Sequence, residues 1–234
     1  MEKRLLDLGA RLVERDGWWQ PESYTSPKAE AEAVQKGAGL FDLSPVTKLD
    51  IRATEPSAAW GMIFPGQQTP AGDEIHRATL CDRPSLAARL NPERIFLTAS
   101  PGAGPAMEAA IRESTAGASV GVTDVTSAIS AIELAGPAAV SVLRKLTPVA
   151  APAEDRRAVQ ARVAGVHAIV FRVDGRVDGT PEGASSSLPA FRLHVSRDLG
   201  LYFWEVLEDA GREFGLMPYG TEARSRLFPN VFPG

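Results

Sequence analysis

One cysteine in 234 residues, Cys81, excludes an internal disulfide and any multi-cysteine metal site. Three histidines, His76, His167 and His194, stand far apart with no ligand spacing, so nothing favours zinc or another metal. Basic residues are no commoner than acidic ones: the net charge is −4, and segments such as EDRRAVQARV mix both signs. A nucleic-acid surface needs clustered Lys and Arg, which this chain lacks. No run nears the roughly 20 apolar residues that span a bilayer. The start, MEKRLLDLGARLVERDG, is charged throughout and has no apolar signal core, which predicts a cytoplasmic protein. What remains is 44% hydrophobic and 23% charged, ordinary for a globular chain of one large domain or two packed halves.

Periodicity predicts a helix over 1–16, with Leu5, Leu6, Leu8, Leu12 and Val13 as its apolar stripe and Asp16-Gly17 as its stop. The next stretch, GWWQPESYTSP, has no period. Its Trp18, Trp19 and Tyr24 either wall a pocket or seal the first helix onto the core. A helix follows over 28–37. KLDIRA (48–53) alternates, with Leu49, Ile51 and Ala53 inward and Lys48, Asp50 and Arg52 toward solvent. Pro56 then opens a short helix. RIFLTA (94–99) reads as a strand and PAMEAAIRE (105–113) as a helix; PGAGPAM is a helix-entry loop without the lysine a phosphate loop requires.

The second half keeps that order. TSAISAIEL is a strand, Gly136-Pro137 opens a helix, VHAIVFRV and AFRLHV are strands, and YFWEVLEDAGREFG is an amphipathic helix. In AFRLHV, Phe191, Leu193 and Val195 oppose Arg192 and His194. AGLFDLSPVTKLDIRA (38–53) and VGVTDVTSAISAIELAGP (120–137) share a layout: an aspartate, a hydroxyl two residues on, a strand, then a proline-started helix. This predicts a duplicated α+β unit of two halves, 1–117 and 118–234, packed as one body. Duplication makes Asp42 and Asp124 turn caps rather than catalytic acids. Cys81 reads as a buried small hydrophobe. Arg224, in PYGTEARSRL (218–227), either grips a carboxylate ligand or makes an intramolecular ion pair.

Three segments carry a resemblance over almost the whole chain. They are W-x-P-x-x-Y with AGLFDLS (Trp19, Pro21, Tyr24, 38–44), TDVTSAISAIELAGPAA (123–139), and F-x-L-x-V…W-x-x-L…P-x-G-x-x-A-R-x-x-L (191–227). Their ordered set resembles the folate-binding aminomethyltransferase family, which includes the glycine cleavage T protein. The resemblance implies an internally two-fold α+β fold, tetrahydrofolate as cofactor, and a small methylated donor. It implies cofactor contacts from Trp19, Tyr24, Arg224 and Glu182, the last in the loop DGRVDGTPEGASSSLP (174–189) where the family carries a glutamate motif. The family's Gly-Gly turn and acid pair are lost between 76 and 96, which leaves Asp82 as the nearest candidate for the catalytic carboxylate. The transferases' C-terminal barrel domain is also lacking. These departures bring the pattern closest to the gamma subunit of sarcosine oxidase. The implied role is a folate-fold subunit of a demethylating or amine-oxidising complex, docking through an apolar patch that includes Trp18, Trp19 or Trp60. The alternative is a stand-alone tetrahydrofolate-dependent methyl or aminomethyl transferase.

Overall fold

A computed structural model describes residues 1–148, 155–176 and 187–229. It opens with α1 (Glu2–Asp7), which ends at Gly9 in the left-handed region, φ +88°. The chain then turns into a hairpin, β1 (Arg11–Arg15) and β2 (Trp18–Ser23), about Asp16 and Gly17 at φ 52° and 76°. The helix expected over 1–16 is therefore less than half that length. Asp-Gly between alternating residues is a two-residue hairpin signal, and here it outweighs the helical stripe. Ser26 caps α2 (Pro27–Lys36), its hydroxyl accepting from Ala29 N at 3.2 Å.

The remaining elements are β3 (Gly39–Asp42), β4 (Thr47–Ala53), α3 (Pro56–Ile63), β5 (Ile75–Leu80), β6 (Arg83–Asn91), β7 (Arg94–Ala99) and α4 (Gly104–Ser114). Then follow β8 (Val120–Asp124), β9 (Ile129–Ala135), α5 (Ala139–Leu146), β10 (Arg157–Val163), β11 (Val166–Arg172), β12 (Gly175–Arg176) and β13 (Ser187–Leu188). The chain closes with β14 (Ala190–Ser196), α6 (Gly200–Gly211), β15 (Met217–Pro218) and α7 (Thr221–Leu227).

Two sheets carry the fold, ordered β5-β6-β7-β4-β8 and β10-β11-β14-β9-β3-β15. Their first five positions correspond one to one. In each, the fifth strand comes from the other part of the sequence: β8 pairs with β4, and β3 pairs with β9. The crossing is reciprocal. Leu43 N donates to Ala131 O and Val125 N to Lys48 O, both at 2.9 Å. Ala131 N donates to Ser44 Oγ at 3.2 Å, and Lys48 N to Thr126 Oγ1 at 2.9 Å. Each hydroxyl thus serves a strand of the other half. Each aspartate holds its own turn, Asp42 Oδ1 accepting from Ser44 N and Asp124 Oδ1 from Thr126 N, at 3.0 and 2.8 Å.

One core lies on the outer face of each sheet. Leu49, Ile51, Trp60, Leu97, Met107 and Ile111 fill the side under α3 and α4. Leu134, Val142, Leu193, Phe203, Trp204 and Leu207 fill the side under α5 and α6. A third core, with Phe41, Phe96, Ala131, Phe171 and Leu227, lies between the sheets. Stacking on both faces overturns two expectations. Lys48 is 0% exposed rather than solvent-facing, and Arg192 and His194 are as buried as their apolar neighbours. Gly136, at φ +118°, lets the start of the α5 connection press against Gly37 O and Val34 O, where any side chain would collide. The N-terminal hairpin is tied in by Glu30, a buried carboxylate that accepts from Tyr24 N, Thr25 N and Gly220 N at 2.7, 2.7 and 2.8 Å.

Candidate functional site

Glu133 is the centre of the buried polar structure. It stands on β9, 1% exposed, where an alternating apolar strand turns a charged side chain into the space between the sheets. Arg224 from α7 grips it with two bonds, Nε to Oε1 at 2.8 Å and Nη2 to Oε2 at 3.0 Å. Arg192 Nε donates to Oε2 at 3.3 Å, and the Tyr219 hydroxyl donates to Oε1 at 2.9 Å. Burial pushes the Glu133 carboxyl up, but the Arg224 charge and hydrogen bonds, the Arg192 charge and the Tyr219 hydroxyl outweigh it. The carboxyl is held below the usual carboxylate range. Arg224 also lies over Phe41 and Phe228, 5.2 and 5.8 Å from the ring centroids. The sequence left Arg224 between a ligand contact and an internal ion pair; in the fold it makes the ion pair. Glu133 went unnoticed, although a lone acid inside ISAIELA was the available signal.

A second polar group lies nearby between the sheets. Lys48 Nζ donates to Ser44 O and Val46 O, both at 2.8 Å, and burial pulls the amine down to about 7. His194 Nδ1 lies 3.2 Å from Ile169 O, and its ring stands edge-on to Phe96 and Phe171. Burial, with the Lys48 charge next, lowers this imidazole to about 3, so it is neutral and donates from Nδ1.

The N-terminal hairpin roofs a cavity of about 540 Å³. Trp18 and Trp19 form one wall, Leu5 and Leu201 another, and Asp42 and Arg197 bring opposite charges to it. Arg197 lies over Trp18, 5.7 Å from the ring centroid. Trp19 is 51% exposed. The reading in which these aromatics wall a pocket therefore holds for Trp18 and Trp19. Tyr24 is not among the lining residues; its hydroxyl is buried without a hydrogen-bond partner among the described residues, and burial, with Asp42 and Glu30 near, pushes it up.

Asp82 lies elsewhere. It and Cys81 form the tip of the β5–β6 hairpin, both exposed, with Cys81 Sγ 3.6 Å from Ala106 O on α4. Cys81 is thus not the buried hydrophobe expected of it, because a two-residue turn leaves no side to bury. Glu182 lies outside the described residues. Trp60, offered as part of an exposed patch, is 0% exposed beneath α3. Of the residues implied for tetrahydrofolate, Trp19 lines the hairpin cavity, Tyr24 lies outside that lining, and Arg224 is closed onto Glu133; Asp82, the implied catalytic acid, is at a hairpin tip. Among the described residues no group of three or more His, Cys, Asp or Glu could hold a metal, and no helix is long and apolar enough to cross a membrane.

Residues 1–228 match the GCVT N-terminal domain family. An aminomethyltransferase of Moorella thermoacetica is 28% identical over 227 residues, covering 94% of this chain and 59% of its own. One of Geobacillus thermodenitrificans is 27% identical over 234 residues, covering 94% and 60%. The chain therefore spans about 60% of the length of these curated relatives. Among solved structures, glycine cleavage system aminomethyltransferase T from Bartonella henselae superposes with a TM-score of 0.81 at 18% identity, covering 96% of this chain and 60% of that one. A chain of the heterotetrameric sarcosine oxidase from Corynebacterium sp. U-96 superposes with a TM-score of 0.60 at 22% identity, covering 82% of this chain and 96% of that one. The mixed helix and sheet fold is the one these neighbours share.

Proposed function

The chain belongs to the GCVT N-terminal domain family, and from that premise we propose that it is a folate-fold subunit of a tetrahydrofolate-linked demethylating or amine-oxidising complex. Its halves, 1–117 and 118–234, act as one folate-binding-type unit whose work is assembly. The observation that carries this reading is the closure of Arg224 onto Glu133 while Asp82 sits exposed at a hairpin tip. Among the described residues, that leaves neither Asp82 nor Arg224 facing a pocket as a paired acid and guanidinium would. The fold shared with a chain of heterotetrameric sarcosine oxidase, at a TM-score of 0.60, supports this reading.

Five of the exposed large apolar side chains, Leu6, Trp19, Leu199, Leu201 and Tyr202, lie on α1, the hairpin and the entry to α6. These elements border one face, and a patch of that kind suits a protein partner. Purification of the tagged chain from its host, in a cytoplasmic extract, is expected to recover a stoichiometric oxidase or demethylase partner, with Trp19→Ala weakening recovery. Recovery of the chain alone at native abundance would overturn this reading.

The second reading is a stand-alone tetrahydrofolate-dependent methyl or aminomethyl transferase acting on a small methylated donor. The TM-score of 0.81 to aminomethyltransferase T favours it. It requires micromolar tetrahydrofolate binding by calorimetry, lost in Arg224→Ala; the assembly reading expects no such heat from the isolated chain.

A further inference from the structure

The internal repeat supplies a comparison within one chain. Asp42 and Asp124 stand at matched places, each holding the backbone of a hydroxyl residue two positions on. Asp124 also reaches the first turn of α4: a side chain at Gly104 would collide with its carboxylate. In that copy the acid lies against the helix N-terminus, where a carboxylate is favoured, and is exposed to solvent. At the matched helix, α6, Gly200 faces the Ser130 hydroxyl instead of an acid. Asp42 is left in the wall of the 540 Å³ cavity, only 7% exposed. The two copies therefore differ: Asp124 is exposed beside α4, whereas Asp42 is buried beneath the hairpin in a cavity wall.

The groups around that opening are complementary. A carboxylate this buried is costly unless a cation meets it. Lys48 and the N-terminal ammonium of Met1 both act on Asp42 electrostatically; the Lys48 ammonium donates to Ser44 O and Val46 O and does not line the cavity, whereas Met1 does. The Arg197 side chain, on the same cavity, makes one hydrogen bond among the described residues, Nη1 to Ser127 O at 3.0 Å. Between them stand the indoles of Trp18 and Trp19 and the side chain of Leu201. Glu2 and Asp198 add acids to the same lining, so a plain carboxylic acid would be repelled by these and Asp42, and a plain amine by Arg197. A molecule bearing both charges beside an apolar group satisfies all three features. The volume lies within the usual range for small-ligand sites, about 300–1,000 Å³.

We propose that this cavity binds a small zwitterionic amino acid with an apolar side chain, its ammonium group on Asp42, its carboxylate on Arg197 and its side chain against Trp19 and Leu201. Trp19 and Leu201 also belong to the face assigned to the partner, so binding is tested on the isolated chain without folate, where its failure leaves the assembly reading untouched.

The test is calorimetry of the full chain with L-phenylalanine, alongside the indole N–H resonances of Trp18 and Trp19. Phenethylamine and 3-phenylpropanoate are the single-charge controls. The expected result is saturable binding of L-phenylalanine that shifts both indole signals, with each control weaker by about tenfold or more. Asp42→Asn and Arg197→Gln should each weaken L-phenylalanine by a similar factor, and Trp19→Ala, at a half-exposed position, gives a variant that keeps its fold. Asp124→Asn, in the exposed copy away from the cavity, should leave the affinity within about twofold. The proposal is overturned if L-phenylalanine and L-leucine give neither heat nor indole shifts. It is overturned equally if either control binds as well as the amino acid, or if Trp19→Ala binds like the unaltered chain.

Discussion

Glu133 and Arg224, 91 residues apart, meet through two hydrogen bonds of 2.8 and 3.0 Å that join β9 to α7 in the space between the sheets. Arg192 approaches the same carboxylate from β14, so one acid answers two buried guanidinium groups. The pair fastens the last described helix to the centre of the fold, which is why the position matched to a ligand-binding arginine does structural work here.

Removing that acid strands both arginines. Glu133→Ala is expected to destabilise the chain by about 3–5 kcal/mol, the usual cost of breaking a buried pair, measured by urea unfolding. The pH dependence carries the same signature. The Glu133 carboxyl titrates below its unfolded value, so its contribution is complete above the unfolded pKa and is lost as pH falls through the folded one. Glu133→Gln should flatten the acid branch of the stability profile.

His194 acts in a neighbouring range of pH. Burial keeps its ring neutral down to about pH 3, whereas an unfolded histidine takes up a proton near pH 6.5. The unfolded chain therefore binds the extra proton between those values, and stability falls as pH drops from about 6.5 to about 3. His194→Leu should remove most of the slope above pH 5, where carboxylates contribute little. Unfolding midpoints compared at mildly acid and neutral pH decide this, and an unchanged slope would show that the ring is protonated in the folded chain.

Much of the fold was legible, and the misses have physical causes. β4, α3, β7, α4 and α6 follow their periodicity and their proline or glycine punctuation closely. The repeat was legible because the D-x-S/T turns must recur wherever the two sheets exchange strands. Burial of Lys48, Arg192 and His194 was not, since local alternation says that two faces exist but not that a second sheet covers the polar one. The Glu133 cluster was hidden for the same reason: its partners come from β14 and α7, dozens of residues away. Trp19 was singled out from composition, but the cavity it lines needs Asp42 and Arg197, which only the crossing of β3 and the entry to α6 bring together.

Lys48 should give the opposite branch of the profile. Its amine is drawn down to about 7 by burial, against the opposing charges of Asp42 and Asp124. Between about pH 7 and the unfolded lysine value near 10.4, the unfolded chain binds the extra proton. Stability is therefore expected to rise with pH across that window. Lys48→Met should reduce the rise, although it leaves the Ser44 and Val46 carbonyls without their donor and lowers stability overall. The slope, read from thermal or urea midpoints at several alkaline pH values, is the measurement that separates the two effects.

The Cys81-Asp82 turn offers a test of whether Asp82 does chemistry. Both residues lie in the left-handed region, φ 52° and 57°, in a two-residue loop between the paired Leu80 and Arg83. That conformation favours Asn-Gly and penalises most other residues. Cys81→Asn with Asp82→Gly is therefore expected to stabilise the hairpin by about 1 kcal/mol, since neither side chain is buried and Asp82 has no partner among the described residues. Under the assembly reading, recovery of the partner complex and its turnover stay unchanged in this double variant. Under the transferase reading, loss of the only candidate acid abolishes methyl transfer while the protein becomes more stable. Stability and turnover then move in opposite directions, a result that unfolding cannot imitate.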